Sequence, residues 1–179
     1  STQPLRLSQA GSLMAEENAG GSQPAQQENL GPEVALQNIY VKDASFEAPN
    51  GPNIPVDQWN PQFGLNMNTA GTTVGQDLHE VILTITLEAK IGDKVAYLAE
   101  VKQAGVFLVR GYAVEDGRRI IGAFCPGVLF PYARQAIANL ILRGGFPPFL
   151  LPPVNFDGLY QQSMEQARQQ AAQQGAAVN

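Results

Sequence analysis

Few residues of this chain have the type or spacing to do chemistry. His79 is the only histidine and Cys125 the only cysteine among 179 residues. The stretch HEVIL lacks the second histidine of a zinc-binding helix motif, and no glycine-rich phosphate loop or dinucleotide fingerprint occurs. Cys125 serves as a nucleophile only if His79 and a carboxylate converge on it, so a small buried side chain ahead of Pro126 is the better reading. His79, near a strand start, reads as a structural or surface residue. The paired carboxylates, Glu16 with Glu17 and Glu115 with Asp116, fall in a tail and a turn, where nothing holds them in the geometry that acid–base work needs. The expectation is a protein that is not an enzyme, with no cofactor and no metal.

Composition narrows the remaining classes. The length suits one domain with a sizeable core, and 44% apolar content is ordinary for a globular chain. Eleven Lys and Arg against sixteen Asp and Glu give a net charge of -5, which leaves no basic footprint for a phosphate backbone and excludes nucleic acid as the expected partner. A single cysteine forbids an internal disulfide and fits a reducing, cytoplasmic compartment. The longest apolar run, AIANLIL, is far shorter than the roughly 20 residues of a membrane-spanning helix, so no membrane insertion is expected.

The ends read differently from the middle. Residues 1–13, STQPLRLSQAGSL, precede Met14 and are read as an added leader; they lack the basic and apolar regions of a secretory signal. Residues 14–31 are polar, Gln-rich and without β-branched side chains, so a disordered tail is expected there. The folded domain is placed at 32–165. Residues 166–179, where a helical pattern decays into Gln and Ala, are expected to fray.

Strands come first within the domain. In HEVILTITLEAKIGDKVAYLAEV, Val81, Leu83, Ile85, Leu87, Ala89 and Ile91 alternate with more polar neighbours, Gly92 and Asp93 supply a turn, and Val95, Tyr97, Ala99 and Val101 resume the alternation. This is a hairpin. FGLNMNT and LQNIYVKDASFEA give two further strands, and residues 106–112 either prolong the hairpin or form another short strand. Helices follow. From Tyr132, Ala133, Ile137, Leu140 and Ile141 keep helical spacing up to Gly144 and Gly145, and a second helix starts after the cap residue Asn155. The intervening GGFPPFLLPPV holds four prolines and must be an irregular apolar loop. Strands followed by helices predict an α+β fold, a four-stranded antiparallel sheet packed on two helices.

That loop is either a lid folded into the core or, with Phe146, Phe149, Leu150 and Leu151, the wall of a groove. The blocks IYVKDASFEAPNGP, EVILTITLEA, AYLAEV, GAFCPGVLFPYAR and PPVNFDGLY, in this order and at these separations, resemble the SecB family of bacterial protein-export chaperones over Ile39 to Tyr160. The long N-terminal extension, the Gln-rich C-terminus and the Pro- and Phe-rich FPPFLLPP depart from the family pattern. The resemblance implies a homotetramer, a dimer of dimers, in which the sheets of two subunits join and helices lie between the dimers. It implies ATP-independent binding of unfolded precursor proteins in the cytosol and their delivery to SecA, the translocase motor. Phe46, Trp59, Tyr97 and Tyr160 match the aromatic lining of the family's peptide groove, with Phe149 and Leu151 as local additions. Asp43, Glu47, Leu98 and Glu100 match the docking surface for SecA's basic, zinc-bearing tail. A chaperone dedicated to one client such as an antitoxin, and an apolar small-molecule binder, are the alternatives.

Overall fold

The computed structural model describes residues 31–54 and 59–176. The leader at 1–13 and all but Gly31 of the expected disordered tail lie outside them. Four antiparallel strands, β1 (Glu33–Glu47), β2 (Gln62–Gly75), β3 (Leu78–Ile91) and β4 (Lys94–Arg110), form one sheet in the order β1-β4-β3-β2. Residues 106–110 prolong the hairpin, because the pairing of β4 with β3 continues past Gly105 to Leu108 opposite Leu78. The second hairpin, β2 to β3, turns at Gln76 and Asp77, and Asp77 adopts a left-handed backbone conformation that Asp tolerates better than most residues.

Alternation separates the faces of the sheet. Val81, Leu83, Ile85, Leu87 and Ala89 of β3, with Tyr97, Ala99, Val101 and Phe107 of β4, are buried on the inner face. Leu129, Ala133, Ile137 and Ile141 of α2 (Cys125–Arg143) complete this core, at a spacing of four that keeps one helical face toward the sheet.

The helix begins much earlier than Tyr132, which corrects the expectation from sequence. A first segment, α1 (Val114–Arg119), runs through a π-helical turn at Ile120–Phe124 directly into α2. Pro126 and Pro131 read as helix breakers, yet Pro126 sits in the first turn of α2, where its missing donor matters least. The wider turn ahead of it bonds the Cys125 N–H to the Ile120 carbonyl, five residues back. The resulting rod, Val114–Arg143, is long and apolar enough to cross a membrane by length and composition. Judging by uninterrupted apolar runs missed this continuity. The α2 part of the rod packs on β3 and β4 as a core helix does, whereas no residue of α1 is buried.

The end of α2 and the start of α3 (Phe156–Ala176) follow local rules. Gly145 takes a left-handed conformation, its N–H bonds the Leu142 carbonyl, and the Phe146 N–H bonds the Ile141 carbonyl. This Schellman closure turns Phe146 back into the core beside Ile141. Residues 146–155 are irregular, and the Asn155 side chain caps α3 by accepting from the Gly158 N–H at 3.1 Å. The helix continues through residues 166–176, and Glu165 to Gln173 are exposed.

Candidate functional site

Four rings meet at one end of the inner face. Tyr97 of β4, 0% exposed, stacks between Phe46 of β1 and Trp59, with centroids 5.6 and 6.2 Å away. Phe146 tilts onto all three at 5.1 to 6.1 Å. Such offset and tilted pairs add to the burial of area. Gly144 lets Phe46 approach, since a Cβ there would lie 2.2 Å from the ring. Among the described residues the Tyr97 hydroxyl has no hydrogen-bond partner, and burial pushes its pKa up to about 12.

The other expected groove residues are dispersed. Leu151 is buried in the core, so this part of the loop is a lid. Phe149 stacks on Phe63 of β2 at 4.0 Å, with Leu150 exposed beside it. Tyr160 is brought to neither group: it lies on α3 against Gly122 of the π turn. There it borders a groove of about 430 Å³ between β2 and α3, with Ile121 and Phe156 among its lining.

Phe63 and Leu65 share the inner face of β2 with Met67, yet remain 39% and 42% exposed because α2 covers β3 and β4 instead. The sequence reading gave these residues no binding role, although their spacing of two in FGLNMNT marks them as one face. An apolar margin therefore runs along edge strand β2 from Phe149 toward Tyr160.

The outer face is polar at the same end. Cross-strand register sets Glu47 opposite Leu98, Ser45 opposite Glu100, and Asp43 opposite Lys102. Asp43, Glu47, Leu98 and Glu100 are thus gathered on the side opposite Phe46, as alternation required. Lys102 was missed, though its spacing of two from Glu100 puts it on this face. Its amine reaches Asp43 at 3.2 Å and Glu100 at 3.4 Å, and the bond to Asp43 raises its pKa most. Farther along, Lys42 reaches Glu80 at 2.7 Å and the Tyr40 hydroxyl donates to the same carboxylate, so Glu80 is held below the usual carboxylate range.

Neither catalytic candidate is poised for chemistry. Burial pushes the Cys125 thiol up to about 12, which opposes thiolate formation, and His79 Nδ1 lies 3.3 Å from the Thr73 hydroxyl on the sheet. Among the described residues no three His, Cys, Asp or Glu side chains gather to hold a metal.

The inner face is thus apolar along its edge strand, and the outer face carries carboxylates around Leu98. The sequence pattern of the family described as preprotein translocase subunit SecB matches residues 26–167. Protein-export protein SecB of Ectopseudomonas mendocina is 47% identical over 156 residues, covering 87% of this chain and 96% of that one. The SecB of Nitrosococcus oceani is 43% identical over 161 residues, covering 89% and 97%. The chain belongs to the SecB family. A solved SecB-like chaperone of Mycobacterium tuberculosis, in complex with a peptide from the HigA1 antitoxin, shares the fold with a TM-score of 0.59 at 15% identity, covering 68% of this chain and 90% of that one.

Proposed function

We propose that this protein is an ATP-independent chaperone that holds unfolded precursor proteins in an export-competent state in the cytosol and hands them to SecA. The observation that carries the reading is the exposed apolar margin of β2, Phe63 and Leu65, continuing past half-buried Met67 into the β2–α3 groove. An unfolded chain has apolar segments to lay along it; a folded one has buried them. Covering roughly 400 Å² of apolar surface at about 25 cal/mol per Å² stabilises the complex by on the order of 10 kcal/mol before ordering costs. A partner that binds only the unfolded state drains the folded population by mass action.

The protein works as a homotetramer. Phe124, Tyr132 and Leu142 stand exposed on the face of the rod turned away from the sheet, and the fifteen-residue β1 is an edge strand that no other described strand covers. Both features fit a dimer of dimers, with the rods between dimers and β1 edges joined within them. SecA docks on the outer face, where Leu98 supplies an apolar anchor among Asp43, Glu47 and Glu100.

The test is aggregation of an unrelated unfolded precursor, followed by turbidity, with light scattering on the same sample. Suppression by a four-subunit species that ignores the folded precursor is expected. A protein inert toward unfolded chains, or fully active as a monomer, overturns the reading.

A further inference from the structure

Two glycines stand where ordinary preferences disfavour them. Gly71 lies inside β2, and Gly122 lies inside the helical rod, at its π turn. Glycine in either interior costs about 0.5–1 kcal/mol relative to alanine, so each position needs a compensating contact. Both contacts are present. A Cβ on Gly71 would meet Ile121 Cγ2 at 2.5 Å, and a Cβ on Gly122 would meet the Tyr160 ring at 2.5 Å. Ile121 and Gly122 are adjacent in the π turn, so one turn of backbone seats β2 on one side and α3 on the other.

These seats have few substitutes. Near its start α3 is tied by Asp157, which accepts two hydrogen bonds from Arg119, and by Phe156 against Phe130 at 5.6 Å. Tyr160 is the next contact along the helix, and beyond it α3 forms one wall of the groove with Ser163 and Gln166 while Met67 and Thr69 form the other. We infer that Gly71 and Gly122 are positioning residues: the π turn holds Ile121 and Tyr160 in the two glycine notches and thereby sets the separation of β2 and α3 at which an extended chain is gripped. This rests on the reading of the groove as a client site. The polar rims suit a main chain, and the Ile121 and Phe156 floor suits its apolar side chains.

The geometry gives the size of the effect. A methyl group on Gly122 requires the ring to retreat by about 1 Å to reach ordinary contact. At 1.5 Å per residue Tyr160 is about 4.5 Å from the Asp157 tie and Gln166 about 13.5 Å, so the same tilt moves Gln166 by about 3 Å.

The experiment measures affinity for an unfolded precursor, with subunit count and thermal midpoint, for wild type, Gly122→Ala, Gly71→Ala, Tyr160→Ala and Gly122→Ala with Tyr160→Ala. Each glycine variant should bind at least about fivefold more weakly as a tetramer, and Gly122→Ala should have no further effect once Tyr160 is Ala. A second readout is cross-linking between Thr69→Cys and Gln166→Cys by a short bifunctional reagent, which Gly122→Ala should slow; it reports wall separation even where client binding is too weak to measure. Glycine variants that bind within about twofold of an active wild type, with unchanged cross-linking, overturn the inference alone. A wild type that holds no client overturns the groove reading on which it rests.

Discussion

Replacing Tyr97 with Phe should make the protein more stable. The ring is enclosed by Phe46, Trp59 and Phe146, and Phe fills the same space. The hydroxyl is fully buried and unpaired among the described residues, whereas in the unfolded chain water satisfies it. A buried unpaired polar group costs about 1–3 kcal/mol, so Tyr97→Phe should gain about that amount at neutral pH. A second signature lies in alkali. The unfolded phenol ionises near 10 and the folded one near 12, so above pH 10 the unfolded state loses its proton first. Stability owed to neutral Tyr97 is therefore constant below pH 10 and falls as pH rises toward 12, by about 3 kcal/mol in all. Phe removes this loss. The assay is urea unfolding of both proteins at one fixed concentration from pH 7 to 11.5, because assembly makes apparent stability depend on concentration. Other alkaline groups cancel in the comparison. A variant less stable than wild type at pH 7, or a difference that does not widen above pH 10, would refute the argument by giving the hydroxyl a partner. Client affinity measured alongside separates a packing role, which Phe preserves, from hydrogen bonding to client, which it abolishes.

Three other outcomes follow from the same geometry. Asp43→Lys with Glu100→Lys should abolish SecA binding in a pull-down while aggregation suppression persists, since the two new lysines flank Lys102, and wild-type docking should weaken as salt rises. Unchanged SecA binding would dispose of the outer-face assignment. Gly144→Ala should displace Phe46 from Tyr97 and cost about 1–3 kcal/mol by thermal unfolding, because the added methyl has no room. Cys125 should react with thiol reagents at pH 8 no faster than the protein unfolds; a rapid stoichiometric reaction would contradict its burial and raised pKa.

The parts of this molecule legible in its sequence are those governed by period and by local capping. Alternation from Val81 to Val101 gave the hairpin, and it also assigned Leu98 and Glu100 to the face opposite Tyr97. Asn155 and the Gly144–Gly145 pair marked helix ends because each solves a local hydrogen-bonding problem. The joined rod was hidden because Pro126 argues for interruption until the π turn supplies an alternative bonding pattern. Tyr160 was hidden for another reason. The family resemblance grouped it with Phe46 and Trp59, but whether α3 packs toward that end of the sheet or toward the π turn depends on tertiary contacts such as the approach of its ring to Gly122, and one glycine in a sequence looks much like another. Phe63 could be placed on a face, yet its exposure depends on how far α2 extends across the sheet, which no local pattern encodes.

The strand order carries a consequence for how the protein is made. β2, β3 and β4 are joined by tight hairpins, but β1 pairs with β4, so Glu33 waits for Arg110. Non-local pairing of this kind is slow to form because the loop must close before its contacts compensate. On a ribosome adding roughly 5–20 residues per second, β1 emerges first and stays unpaired for several seconds until the last strand follows. During that interval its Ile39, Tyr40, Val41 and Phe46 form the sort of extended apolar segment that this protein binds in others. Lys42, Asp43 and Glu47 interrupt the run, and charges placed within a strand in this way disfavour pairing between exposed apolar segments.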